Sequence, residues 1–362
     1  MHKIITIIGT RPEIIRLSSI IKKLDLIFNH KLIHTNQNFD KNLNQVFFKD
    51  FNLKKPTKIF QHKAKTQIEV IASILIKIEK VIKKEKPDCV LVLGDTNSCL
   101  SVIVAKKYNI PVFHLEAGNR CYDENTPEEL NRKIIDHVSD YNLTYSHNAK
   151  HNLIQEGMQA KKIFCIGSPL AEVFNDNKSK IYKSNILKKL NLEKNKYLLV
   201  SFHRQENLVI KDRFDKIIEI LKFLDKKLDF DIIVSTHPKT KSRMKDCNIF
   251  FSKKVKFLKP FNFSDYMSLQ LNAFYVISDS GSINEEASIL GIDAINLRLS
   301  HERDEADDQG TTIMSMSNEV IFKCILLKKN NRNFKKSLVK SYSDLNVSDK
   351  VIKLIMSYLN KN

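Results

Sequence analysis

The chain has 362 residues, 42% of them hydrophobic, and a formal net charge of +19, the dimensions of ordinary globular material in two domains with a sizeable core. No apolar run nears the roughly 20 residues that cross a bilayer, and Met1-His2-Lys3 runs straight into a strand pattern without signal-peptide features, so a cytoplasmic protein with no membrane segment is expected. The positive charge does not indicate a nucleic-acid partner, because lysines are spread over nearly every helix pattern and no basic block is interleaved with aromatics.

In chain order, "KIITIIG" (3–9) reads as the first strand. "GTRPEIIR", Gly9 to Arg16, leads from it into a helix whose first position suits Pro12, since proline there forfeits no needed donor. Arg11 and the free amides of that turn would make an anion site, although a Gly-Thr turn beside a surface arginine explains the segment equally well. The pattern is neither G-x-G-x-x-G nor a Walker loop, so no dinucleotide or ATP phosphate site is indicated. After "HKLIHT" (30–35), "CVLVLGD" (89–95) places Asp95 at a strand's carboxyl end, where it serves as a helix N-cap or as a functional acid. "PVFHLEA" (111–117) places Glu116 at the next strand end, ahead of "GNR" with Gly118 and Arg120. "TPEELNRKIIDH" then opens a helix with Glu128, Glu129 and Arg132. Three carboxylates at one sheet edge repel if unpaired, so at least one is expected to have a perturbed pKa suited to acid–base work.

"YNLTYS" and "IFCIGS" continue the first half, and Asn, Ser and Lys accumulate over 170–196, where a linker is expected. "YLLVSFH" (197–203) brings His203 and Arg204 to a strand end, and "DIIVSTH" (231–237) brings His237 to another. One such histidine is usually structural, while two at one crevice edge favour function. "VKFLKP", "FYVISDS" (274–280) and "DAINLR" complete the strands. "DSGSINEEASILG", Asp279 to Gly291, joins a turn fit to cradle a phosphate to a helix with Glu285 and Glu286 in its first turn, where acids also favour the helix dipole. "LRLSHERDEADDQGT" would set His301, Glu302 and Arg303 beside the Ser280 turn. His147 and His151 have an i,i+4 spacing, yet no Glu completes H-E-x-x-H. The six cysteines form no C-x-x-C pair and read as reduced thiols, mostly in the core. Neither a metal site nor, without G-x-S-x-G, a serine hydrolase is expected.

Continuous apolar strands alternating with helices indicate an α/β protein with parallel sheets covered on both faces. "VLVLGDTNSCLSVIVAKKYNIPVFHLEAG" and "YVISDSGSINEEASILGIDAINLR" look like one βαβ unit used twice. Two doubly wound, Rossmann-like domains facing a cleft are therefore expected, over 1–172 and 173–346, with helix 347–362 crossing back to the first. Only ten of the sixty basic side chains are arginines, and Arg11, Arg16, Arg120, Arg132, Arg204, Arg298 and Arg303 lie among acids, histidines and glycines. A planar, bidentate cation retained in a lysine-rich chain points to carboxylate or phosphate geometry.

Taken in order, "GTRPE", "GDT", "HLEAG", "PEE-NR", "HRQEN" and "DSGSINEE" resemble the non-hydrolysing UDP-N-acetylglucosamine 2-epimerase family, from the first strand to about residue 315. The resemblance implies a GT-B-like fold, a UDP-linked amino sugar as substrate, a homodimer and no cofactor. By resemblance Asp95, Glu116, Glu128 and His203 are catalytic. Ser280, Gly281 and Ser282 hold the pyrophosphate, Glu286 the ribose, and Arg11, Arg132, His237 and Arg303 join in binding. The implied reaction inverts C2 by elimination of UDP to a glycal and re-addition, in the supply of sugar nucleotides for a surface polysaccharide such as capsule or O-antigen. "NQNFD" (36–40) stands where better-known members carry Gln-His-Arg, linked to activation by a second substrate molecule, and "SHERDE" stands where they carry Glu-Arg-Pro-Glu. These departures resemble the branch that makes UDP-N-acetyl-L-fucosamine from UDP-2-acetamido-2,6-dideoxy-L-talose, the substrate expected here. UDP-N-acetylglucosamine to UDP-N-acetylmannosamine is the alternative within the family, and a GT-B glycosyltransferase the alternative of another class.

Overall fold

The computed structural model describes the chain except residues 38–40, 124–125, 237–239, 241–242, 245–249, 331–334, 336 and 360–362, and the side chains of 41–45 and 205–206. The chain divides into two compact units, 1–176 with 340–362, and 177–339. The first crossing falls inside the helix Leu170–Tyr182. These limits lie a few residues from the 172 and 346 expected from the sequence, because the Asn- and Lys-rich stretch that resembled a linker is largely helical.

The first unit carries seven parallel strands: β1 (Lys3–Ile8), β2 (Asn29–His34), β3 (Lys58–Ile59), β4 (Cys89–Leu93), β5 (Val112–Leu115), β6 (Tyr141–Thr144) and β7 (Ile163–Cys165). Their order is β3-β2-β1-β4-β5-β6-β7. The second carries six: β8 (Tyr197–Ser201), β9 (Asp231–Ser235), β10 (Val255–Leu258), β11 (Tyr275–Ser278), β12 (Ala294–Asn296) and β13 (Ile313–Met314), ordered β10-β9-β8-β11-β12-β13. In each sheet the order reverses beside the first strand, β1 next to β4 and β8 next to β11, and ligands of doubly wound sheets bind beyond the strand ends at such a switch point. The two-residue edge strands β3 and β13 are too short to leave a periodic signal.

Both faces of these sheets are covered, and successive residues show it. Leu198 and Val200 enter one core cluster with Phe214, Ile217 and Ile321, while Tyr197 and Leu199 enter another with Leu269, Ile283 and Ala287. Each large side chain fully removed from water contributes about 1.5–3 kcal/mol, so these unbroken apolar runs commit to buried parallel strands. The first unit repeats the design with Ile5, Ile7, Val90 and Val92 packed on Ile74 and Ile78. Those isoleucines lie one turn apart on the helix Gln67–Glu85, which Thr66 caps by accepting the Glu69 N–H at 3.2 Å.

The last helix, Val347–Leu359, belongs to the first unit. Its N-terminus is held by Glu172, which accepts from the Ser348 N–H at 2.8 Å and from the Ser348 hydroxyl. Lys23 pairs with Asp349 at 2.6 Å, and Tyr358 packs on Tyr141 with ring centres 4.3 Å apart. Among the described residues no helix is long and apolar enough to cross a membrane.

Candidate active site

At the carboxyl end of β1 the chain turns at Gly9 and Thr10 into the helix Arg11–Ile27. The sequence leaves two readings of this turn, an anion site or a plain Gly-Thr turn, and two of its amides have an internal partner. The N–H groups of Gly9 and Thr10 donate to Glu13 Oε2 at 2.6 and 2.5 Å, and the Thr96 hydroxyl donates to Glu13 Oε1 at 2.7 Å. The helix thus supplies its own anion and ties the β1 turn to the loop after β4. Burial raises the Glu13 pKa against these hydrogen bonds. Arg11 lies with its guanidinium carbon 5.7 Å from the centre of the Phe47 ring.

Asp95 follows β4 and receives Arg132 Nε and Nη2, both at 2.8 Å. Arg132 Nη1 turns to Glu129 at 2.9 Å. Burial alone would raise the Glu129 pKa, but the Cys121 N–H and the Arg132 guanidinium outweigh it and hold the carboxyl below its usual range. Glu116, after β5, has a left-handed backbone with φ of 65°, an uncommon conformation for a residue with a side chain and one found at functional strand ends. A methyl group on Gly94 would lie 3.5 Å from Glu116 Oε2, so this carboxylate reaches back to the backbone beside Asp95. Arg16 stands 3.9 Å from Glu116 Oε1 with its guanidinium carbon 5.6 Å from the Tyr145 ring centre. Glu128 is half-buried in the first turn of the helix Pro127–Val138, beside Glu129. Of the three carboxylates at this sheet edge, Asp95 and Glu116 each stand beside a guanidinium. Arg132 bridges Asp95 and Glu129, and Cys121 touches this set through Glu129 at 3.3 Å and Arg132 at 3.5 Å.

A second layer holds the Glu116 loop. His114 is buried between the Gly94 carbonyl at 2.9 Å and Asp136 Oδ1 at 2.9 Å. Arg120 donates to Asp136 at 2.7 Å and clamps Glu156 with two bonds of 2.7 Å. Burial would raise the Asp136 pKa, yet His114 and Arg120 overcome it and hold the carboxyl low. Gly118, with φ of 80°, packs so closely on the Ala149 carbonyl that no Cβ fits.

In the second unit, the residues after β8 and β11 form one constellation. Asp279 is wholly buried and accepts from the N–H groups of His203 and Arg204, at 3.1 Å each, and from Asn207 Nδ2 at 2.9 Å. The Ser280 hydroxyl meets that of Ser282 at 2.9 Å, and Ser282 donates to Glu286 at 2.7 Å. Gln270 Nε2 donates to the other oxygen of Glu286 at 2.6 Å. A Cβ on Gly281 would meet Glu302 Oε1 at 2.9 Å, Arg204 Nη2 at 3.3 Å and Arg298 Nη1 at 3.8 Å, so two guanidiniums border the turn. Arg298 also pairs with Glu302 at 3.0 Å. Arg303, expected among the ligands, is buried and spans 2.7 Å to Glu285. That pair also explains the first acid of "INEE": Glu285 is the buried partner of Arg303, while Glu286 lies with the serines. His301 is fixed by Asp307 at 3.0 Å and by the Arg303 N–H at 3.1 Å. His237 lies outside the described residues. Arg204, Arg298 and Arg16 carried one sequence signal, the scarcity of arginine; Asp279 carried none beyond its place at a strand end.

One edge thus gathers carboxylates with cations suited to proton transfer, and the other a hydroxyl-lined turn with two guanidiniums and a carboxylate, suited to a diphosphate and a diol. The family model for UDP-N-acetylglucosamine 2-epimerase matches residues 22–356. A solved structure of UDP-N-acetylglucosamine 2-epimerase from Rickettsia bellii superposes with a TM-score of 0.92 at 43% identity, over 100% of this chain and 98% of that one. The Methanocaldococcus jannaschii UDP-GlcNAc 2-epimerase, solved in complex with UDP-GlcNAc and UDP, gives 0.90 at 35% identity over 98% and 99%. A Pseudomonas aeruginosa relative, UDP-2,3-diacetamido-2,3-dideoxy-D-glucuronate 2-epimerase, is 30% identical over 82% of this chain and 83% of its own. Matched over most of its length by the family model and over nearly all of it by solved relatives, the chain belongs to the UDP-N-acetylglucosamine 2-epimerase family and is an epimerase that acts on a UDP-linked sugar.

Proposed function

We propose that this enzyme inverts C2 of a UDP-linked 2-acetamido sugar by elimination and re-addition. A base takes the C2 proton, the anomeric C–O bond breaks with its electrons leaving on UDP, and a C1–C2 double bond forms. A proton then returns to the other face of C2, and UDP re-attacks C1. Asp95, Glu116 and Glu128 supply acid, base and negative charge near the developing cation, and His203 joins them in proton transfer. Ser280, Gly281 and Ser282, with Arg204 and Arg298, take the diphosphate and stabilise UDP as it leaves, and Glu286 takes the ribose hydroxyls. Arg132 and Arg16 hold Asp95 and Glu116 in place, Arg11 contributes positive charge on the first unit, and Arg303 acts through Glu285. The single observation that carries the reading is the Gly281 turn bordered by two guanidiniums and by the Ser282–Glu286 pair.

For the sugar we infer UDP-2-acetamido-2,6-dideoxy-L-talose, converted to UDP-N-acetyl-L-fucosamine. "NQNFD" and "SHERDE" support this, since both depart from the better-known members toward that branch. The names of the relatives above favour UDP-N-acetylglucosamine as the second reading, while the diacetamido relative is named for a different sugar within the same frame. Incubating the enzyme with each sugar nucleotide alone decides: formation of the 2-epimer from the 6-deoxy-L-sugar and not from UDP-N-acetylglucosamine is expected, and the reverse selectivity overturns the assignment.

A homodimer is part of the proposal. Residues 66–76 hold no lysine in this lysine-rich chain, and Ile68 and Ile76 of the helix Gln67–Glu85 are 73% and 56% exposed. A two-fold axis at the exposed Ala72 lays Ile68 on the partner's Ile76, an isologous apolar contact free of like-charge repulsion.

A further inference from the structure

The loop that carries Arg298, Glu302 and Arg303 is tied to the helix Ile283–Leu290 by the buried His301. The Arg303 N–H donates to His301 Nδ1 at 3.1 Å. A backbone N–H can only donate, so Nδ1 carries no proton and accepts. The Asn284 side chain, 3.3 Å from the same nitrogen, therefore presents its NH2 group there, and its oxygen accepts from Thr312 Oγ1 at 2.8 Å and Asn296 Nδ2 at 3.3 Å. The ring proton sits on Nε2, which donates to Asp307 Oδ1 at 3.0 Å. One backbone N–H thus sets the direction of a buried network that joins the first turn of this helix to the end of β12 and to the loop.

Glu302 lies between His301 and Arg303 in the chain. It pairs with Arg298 at 3.0 Å and would meet a Cβ on Gly281 at 2.9 Å. Arg298 Nη1, 3.8 Å from that Cβ position, is buried without a hydrogen-bond partner, and an acceptor at the turn would offset the cost of its desolvation. We propose that His301 is a positioning residue for the diphosphate: as a fixed acceptor it locks the Arg298–Glu302 pair against the Gly281 turn and so shapes the leaving-group end of the site. The inference rests on the reading of that turn as the diphosphate seat, and adds to it a residue that acts through Arg298. A histidine present only to fill space or to hold Asp307 would be replaceable without regard to the acceptor at Nδ1.

Two substitutions test this. His301→Asn keeps an acceptor where Nδ1 stands and gives up the Asp307 contact, while His301→Leu fills a similar volume and accepts nothing. Calorimetry reads the affinity for UDP, and ligand-observed NMR that for uridine, which lacks the phosphates. His301→Leu should weaken UDP about tenfold and His301→Asn at most about threefold, as expected when one charge-assisted hydrogen bond is misplaced or kept. Uridine should bind both variants as it binds the parent. In an Arg298→Ala background His301→Leu should weaken UDP no further, because it acts through that guanidinium. A folded His301→Leu whose UDP Kd stays within about twofold of the parent overturns the proposal. So do equal losses in the two variants, a matching loss of uridine, or effects that add to that of Arg298→Ala. Should His301→Leu fail to fold, long-range proton–nitrogen NMR of the unsubstituted enzyme with 15N-labelled histidine decides, with the ring neutral and His301 assigned from His301→Asn: a bare Nδ1 is expected, and a proton on it overturns the proposal. Should Arg298→Ala and Gly281→Ala both leave UDP binding unchanged, the diphosphate reading itself fails; should they weaken it while His301→Leu does not, the error lies with His301 alone.

Discussion

Gly281→Ala probes the diphosphate seat with the smallest possible change. The added methyl would stand 2.9 Å from Glu302 Oε1, closer than real Cβ contacts, and 3.3 Å from Arg204 Nη2. The nearest atom is the end of a flexible side chain, so the fold can yield by moving Glu302, and the cost to stability should lie near the lower end of the about 1–3 kcal/mol typical of overpacking. Moving Glu302 carries Arg298 with it, because the two are paired at 3.0 Å. A hydrogen bond to a charged group contributes about 1.5–3 kcal/mol. Displacing one guanidinium from the diphosphate should therefore weaken UDP binding about 10- to 100-fold, at about 1.4 kcal/mol per tenfold. Calorimetric titration with UDP reads the affinity, and a thermal scan of the same sample confirms that the variant is folded. A folded variant whose UDP Kd stays within about twofold of the parent would refute the assignment of the diphosphate to this turn.

Asp95→Asn and His203→Asn should each abolish turnover with UDP affinity nearly intact; loss of UDP binding in both would move these residues away from the sugar end. Arg120→Ala leaves the buried Asp136 without its guanidinium partner and should cost about 3–5 kcal/mol in chemical denaturation. The Asp136 pKa is depressed in the folded state, so its stabilisation is complete above the ordinary value of 3.8 and is lost as the pH falls through the lower folded value. Acid titration of stability should show that loss, and Asp136→Asn should remove its contribution to the slope. Ile76→Lys places a charge in the proposed two-fold contact and should shift sedimentation from dimer to monomer, whereas an unchanged dimer would locate the contact elsewhere.

Much of the fold is legible because its strands are buried on both faces: "CVLVL" and "YLLVS" have no alternation to misread, and strand-end acids follow from where the apolar run stops. What sequence could not settle is which polar group answers which. Glu13 resembles an ordinary first-turn acid, although Thr10-x-x-Glu13 is itself a capping-box spacing that hints at the self-filled turn. Arg303 and Arg298 lie five residues apart and are both buried, yet one pairs with Glu285 and the other borders Gly281. Glu116 and Asp279 are legible only as strand-end acids; the left-handed backbone of the first and the backbone donors that surround the second leave no local pattern.

The most direct test of the central claim is proton NMR of the epimerisation run in D2O, with the sugar nucleotide alone and no acceptor. Elimination to a glycal and re-addition require that the epimer carry deuterium at C2. An epimer formed with its original C2 proton would contradict the account.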